Sequence, residues 1–374
     1  MGVRAITRVM SNPYRGKPSY QFWRAAVATP EPQDVDPIVD PRFTIARDDR
    51  IATAGSCFAQ HIARKLAASG YDYMLAESAP ATPGAANENY GTFSARYGNI
   101  YSVRQLLQLF RRAYATFVPV DDAWQRPDGR FVDPFRPQIQ AAGFADPDEL
   151  AMDRKVHIAA VRDMFETCDV LVFTLGLTEA WEAVADGAVY PLAPGTVAPS
   201  IDPASYAFRN FTVAEMEEDL ARFITYLRGV NPQVRLILTV SPVPLVATFE
   251  PRHVLVSTTY SKAALRVVAE QILRRFDGVD YFPSYEMITG PHSRGAYYAD
   301  DLREVLPDGV AYVMRHFGKH YLAAAGGARH DLAAPMTPDA IRTAQAVMIQ
   351  QTAGVICDEE MIERSLAQPA APAR

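Results

Sequence analysis

Two apolar runs, DVLVFTL at 169–175 and VRLILTV at 234–240, constrain this chain more than any other feature. Their apolar residues are continuous rather than alternate, which is the pattern of a strand buried on both faces. Helical periodicity surrounds them, from about Asp148 to Glu166 before the first, from Val213 to Arg228 between the two, and in SKAALRVVAEQILRRF after the second. Earlier in the chain RIATAG runs into a helical stretch that ends at Leu66, followed by YDYML and the helical SVRQLLQLFRRAY; VDYFP supplies one more short strand. WEAVADGAVYPL reads as a hairpin. Helices between doubly buried strands predict an α/β fold, a three-layer α/β/α sandwich around a parallel sheet.

The segments flanking this body differ in composition. Residues 1–49 are rich in proline and charge and read as an N-terminal arm, residues 50–330 as the α/β domain, and residues 331–374 as a C-terminal helical tail carrying TPDAIRTAQAVMIQQ. Within the domain, residues 115–147 hold many Pro, Gly and Asp and are too long for a plain connection; they predict a surface flap beside a site.

Composition narrows the function. A formal net charge of -6 makes nucleic acid an unfavourable partner, because the chain would repel a phosphate backbone. No apolar run reaches the roughly 18 residues of a membrane helix, and the first residues lack a leader's apolar segment. Cytoplasmic residence with no membrane span is the expectation. The three cysteines, Cys57, Cys168 and Cys357, are far apart and form no C-x-x-C, which fits a reducing compartment. No G-x-G-x-x-G follows a strand and no convincing cluster of metal ligands occurs, so neither cofactor nor metal is expected.

In open parallel sheets, ligands bind beyond the carboxyl ends of the strands. The turn AGSC, between the strand at 50–55 and the helix ending at Leu66, is therefore a natural place for chemistry. A cysteine near a helix N-terminus should have a lowered pKa and enhanced nucleophilicity. The same position also suits a small apolar residue at a tight junction.

GSCFAQHI at 55–62, TLGLTEAW at 174–181, SPVPL at 241–245, TTYSK at 258–262 and YFPSYE at 281–286, in this order, resemble the GSCFA family, a branch related to the SGNH or GDSL-like hydrolases. The resemblance implies a flavodoxin-like topology, as in SGNH hydrolases. It implies a nucleophile at Cys57, with Ser56 as the alternative, and esterase, deacetylase or O-acyltransferase activity on acyl esters. A small-molecule or carbohydrate acyl ester, acetyl above all, is the implied partner. The opposing reading is a ligand-binding protein that keeps the pocket without catalysis.

Oxyanion stabilisation needs donors aimed at the developing charge. By resemblance these come from Gly98 and Asn99 in ARYGNIYS and from Gly176, Thr178 and Glu179 in LGLTE, with Thr178 where the superfamily has asparagine. The superfamily's closing Asp-x-x-His is Asp301-Leu-Arg-Glu304 here, so the general base is open among Glu304, His61, His253 and His292. His61 follows Cys57 by one helical turn, on the same face. Lys262 is a candidate for binding an anionic or acyl-carrier group.

Overall fold

In the computed structural model, residues 12–78, 88–198, 202–323, 355 and 357–366 are described. The expected helix in TPDAIRTAQAVMIQQ lies outside them. The apolar runs form the centre of a parallel sheet of β1 (Ile51–Gly55), β4 (Val170–Leu175), β8 (Arg235–Val240) and β9 (Val279–Tyr281), adjacent in that order. β4 holds the middle, with Val172 opposite Thr53 on one side and Ile237 on the other. Two-residue alternation then sorts its side chains into two cores. Leu171, Phe173 and Leu175 pack with α2 (Val103–Ala113), α3 (Pro147–Thr167), α4 (Val213–Val230) and α5 (Val254–Arg275). Val170 and Val172 face α1 (Ala59–Ala68), α6 (Ser284–Thr289) and α7 (Pro307–Tyr321). The result is an α/β/α sandwich, as the doubly apolar strands require. Each fully buried Leu, Ile or Phe in these cores contributes about 1.5–3 kcal/mol.

The helices start where their first residues say they should. Ser102 and Gln105 form a reciprocal capping box on α2, as Thr212 and Glu215 do on α4, and Asp146 caps α3 just before Pro147. YDYML differs from expectation, since Tyr73 makes a single parallel bridge to Ile51. The Thr53 N–H that a longer partner strand would hold is taken by Ser94 Oγ at 3.0 Å, which stops the pairing. The hairpin forms as β5 (Glu179–Ala183) and β6 (Val189–Tyr190), and β7 (Tyr206–Asn210) adds a third antiparallel strand.

Residues 115–147 carry a small hairpin, β2 (Trp124–Gln125) with β3 (Phe131–Val132), whose Trp124 packs with Phe135 and Tyr190. Behind it Asp133 and Arg136 are fully buried and paired at 2.9 Å, and Arg136 reaches Asp153 of α3 at 2.7 Å. Arg96 meets the same Asp153 at 2.7 Å. Surrounding guanidinium groups hold the Asp133 carboxyl well below its ordinary range despite burial. This segment is bolted to the body by charge, because removing any one partner would strand another without water.

Among the described residues, the arm lies on the far layer: Ile45 bridges Leu322 just after α7, and the Arg42 N–H donates to Asp280 at 2.9 Å. No described helix is long and apolar enough to cross a membrane.

Candidate functional site

The carboxyl ends of β1, β4 and β8 converge on the AGSC turn. Gly55 has φ +132°, and any Cβ there would collide with the Thr174 carbonyl of β4, so only glycine lets the chain leave the sheet here. The Ser56 N–H then donates to Thr174 O at 3.1 Å, and the Ile100 N–H to Gly55 O at 2.8 Å. At the end of β4, the Gly176 and Leu177 N–H groups both donate to Tyr101 O at 3.0 Å. A Cβ on Gly176 would lie 3.1 Å from Ser56 Cβ, so this glycine too exists for close approach. The backbone thus clamps Ser56, Cys57, Asn99, Tyr101 and Gly176 into one small region.

Cys57 is buried, with 5% of its surface exposed. Two charged side chains, Lys262 and Glu359, act on it from distant parts of the chain, and a third, Arg303, pairs with Glu359. Lys262, in the third turn of α5, is fully buried and its Nζ donates to Gly176 O at 2.8 Å. Burial outweighs the attraction of Glu359 and Cys57 and brings the Lys262 ammonium down to about 8. Glu359 is buried nearby, and burial raises its carboxyl against the pull of Arg303 and Lys262. Arg303 lies 3.9 Å from Glu359.

The fourth neighbour is Cys357, whose sulfur is hydrogen-bonded to that of Cys57. This bond raises the Cys57 pKa, with burial and the nearby Glu359 adding to the effect and Lys262 opposing it. The same bond lowers that of Cys357. Of the two thiols, Cys357 is therefore the more readily deprotonated. The lowered pKa expected of Cys57 at a helix N-terminus is therefore reversed in this arrangement: α1 begins only at Ala59, and a closer thiol and burial push the pKa up.

Cys357 is held in place by its successor. Asp358 is buried and accepts from Asn99 Nδ2 at 2.9 Å and from Gln138 Nε2 at 2.8 Å, while its N–H donates to Tyr101 Oη at 2.9 Å. Asn99 Oδ1 in turn accepts from Gln60 at 3.3 Å. Gln138, within residues 115–147, is thus in direct contact with Asp358. Gly98 lies on this flank with φ +70°, beside Arg136.

The remaining candidates divide. Thr178 is buried at the end of β4, its N–H donating to Ser261 Oγ at 3.1 Å while its own hydroxyl, like that of Ser56, has no hydrogen-bond partner among the described residues. Glu179 turns away, accepting from Thr248 Oγ1 at 2.7 Å and the Phe249 N–H at 3.2 Å. His61 presents part of its surface yet is enclosed enough that burial, aided by Arg64, keeps the imidazole neutral down to about 3. Its ring packs against Phe58. His253 is exposed and caps α5, accepting from the Leu255 N–H at 3.1 Å. His292 lies beside Tyr312.

Asp301 is exposed and caps its own turn, accepting from the Arg303 and Glu304 N–H groups at 2.9 and 3.0 Å. Glu304 is exposed as well. The loop reaches the site through Arg303, one residue before the expected base. Two side chains here carried no sequence signal, Cys357 and Glu359, because they arrive from about three hundred residues away. Arg303 stands between Asp301 and Glu304, and it is the residue of that turn that reaches Glu359. No group of metal-ligating side chains occurs among the described residues.

The sequence model of the GSCFA family matches residues 50–317. No curated protein matches the chain at a significant level.

Proposed function

Because the chain belongs to the GSCFA family over residues 50–317, we propose that its Cys57 site performs acyl-ester chemistry, as a hydrolase or an acyltransferase, on acetyl or similar esters that include those of carbohydrates. The observation that carries this reading is Lys262, a buried amine with a pKa of about 8 beside a cysteine at the carboxyl edge of a parallel sheet. Neutral Lys262 is able to take the proton that the absent histidine would take, in the manner of nucleophile–lysine pairs. The thiolate then attacks the ester carbonyl, forming a C–S bond, and the collapsing tetrahedral intermediate expels the alcohol, which regains a proton from the Lys262 ammonium. Water or an acceptor hydroxyl resolves the thioester.

Ser56 and Thr178 supply hydroxyl donors for the oxyanion. Both are buried with no hydrogen-bond partner among the described residues, which is costly unless something uses them. Ser56 remains the alternative nucleophile on its position next to Cys57. Access to Cys57 requires that the segment around Cys357–Glu359 withdraw.

The exposed Asp301 and Glu304 and the covered thiol favour a second reading, a binding protein that retains the pocket without turnover. Steady-state assays of the full chain on p-nitrophenyl acetate and an acetyl thioester decide between them. The enzyme reading expects turnover that rises with pH through about 8, as Lys262 deprotonates. Saturable binding of esters with no turnover at any pH supports the binder.

A further inference from the structure

Residues 357–359 lie outside the segment matched to the family, yet they fill its candidate nucleophile site. The tail is seated there by specific bonds rather than by loose apolar contact. Asp358 alone accepts from Asn99 and Gln138 and donates from its backbone to Tyr101. Glu359 adds Arg303 at 3.9 Å and the Val246 N–H at 3.5 Å. These bonds, with Gln138 Nε2 donating to Cys357 O at 3.4 Å, hold Cys357 beside Cys57, where the two thiols act on one another.

We infer that Cys57 and Cys357 form a reversible intramolecular disulfide under peroxide, which fastens residues 357–359 to the turn that carries Cys57. The inference stands apart from the acyl chemistry, since it concerns only the two thiols and their seating. The order of events follows from exposure, because Cys357 is partly exposed whereas Cys57 is buried. The Cys357 thiolate attacks one oxygen of hydrogen peroxide; the O–O bond breaks, water leaves after one proton is taken up, and a sulfenic acid remains on Cys357. The Cys57 sulfur then attacks the sulfenic sulfur. The S–S bond forms, the S–O bond breaks, and the Cys57 proton leaves with the hydroxide as a second water. Two thiols are oxidised and one peroxide is reduced. A thiol reductant reverses the step by exchange.

Cys168 is the built-in control. It is 1% exposed, lies in the apolar core, and burial pushes its thiol up to about 12.

The test uses the full chain, a small excess of hydrogen peroxide, alkylation of the remaining thiols in denaturant, and non-reducing peptide mapping. The expected result is loss of two of the three thiols, with a linked peptide joining Cys57 to Cys357, Cys168 alkylated, the protein monomer-sized on a non-reducing gel, and full reversal by dithiothreitol. Cys357→Ser should give no linked peptide and leave Cys57 reduced at the same dose. Asn99→Ala, which loosens the Asp358 anchor without touching either sulfur, should slow formation of the link several-fold. Three alkylatable thiols after peroxide, sulfinic acid at Cys357 without a link, a bridge between two chains, or a bridge to Cys168 would each overturn the inference.

Discussion

Cys57 and Cys168 sit at opposite rims of the same sheet, one just after β1 and the other just before β4, and both are buried. Yet their surroundings share nothing. At the amino rim Cys168 belongs to the apolar core, its N–H donating to Met164 O at 3.0 Å, and burial opposes charge on its thiol. At the carboxyl rim Cys57 meets Lys262, Glu359 and a second thiol. Burial by itself makes a cysteine inert. What distinguishes the carboxyl rim is that loops rather than helices and packed apolar side chains cover it, so charged residues are free to converge there.

The largest effect expected from this contrast is on rate. Cys57→Ala should lower ester turnover by at least ~10⁴-fold, as loss of a nucleophile does, while Cys168→Ala should leave the rate within about twofold and lower stability by ~1 kcal/mol in urea unfolding. Similar rates for the two variants would erase the distinction between the rims.

Lys262→Met comes next. Loss of a general base should lower the rate by roughly 10²- to 10⁴-fold. It should also remove the rise in activity that the wild type shows as pH increases through about 8. The sign follows from the direction of the shift: burial lowers the ammonium's pKa, so the neutral, proton-accepting form gains with rising pH. A pH profile unchanged in Lys262→Met would assign the base elsewhere, with His61 the enclosed neutral alternative.

A smaller effect separates the cysteines by access. Iodoacetamide on the folded protein should label Cys357 first, then Cys57, then Cys168. Asn99→Ala removes a bond to the Asp358 carboxylate at 2.9 Å. It should speed Cys57 labelling about tenfold, the worth of one hydrogen bond to a charged group, and leave Cys168 unchanged. Peptide mass spectrometry reads all three sites, and equal acceleration of Cys168 would mean general loosening.

How far the site was legible in the sequence follows the range of each interaction. The sandwich was written in DVLVFTL and VRLILTV, whose patterning is local and unambiguous. The AGSC turn and its glycine were equally local, and Gly55 shows why the residue is needed there. Lys262 was visible as a residue of interest but not as a neighbour of Cys57, because its seat against Gly176 O depends on how α5 crosses the sheet edge. Cys357 and Glu359 left no trace, since no spacing rule joins residue 57 to residue 357. YDYML misled because its strand propensity met a rival partner for Thr53 in Ser94. β7 was missed because YAFRN pairs only once β5 is in place.

The central claim is that Cys57 itself takes the acyl group. Brief mixing of the full chain with p-nitrophenyl acetate, acid quench and peptide mass spectrometry tests it directly. The account predicts one acetyl group on the peptide containing Cys57, released by hydroxylamine at neutral pH as a thioester should be, and absent in Cys57→Ala. Acetyl found on Ser56, or turnover with Cys57 unmodified and undiminished in Cys57→Ala, would contradict it.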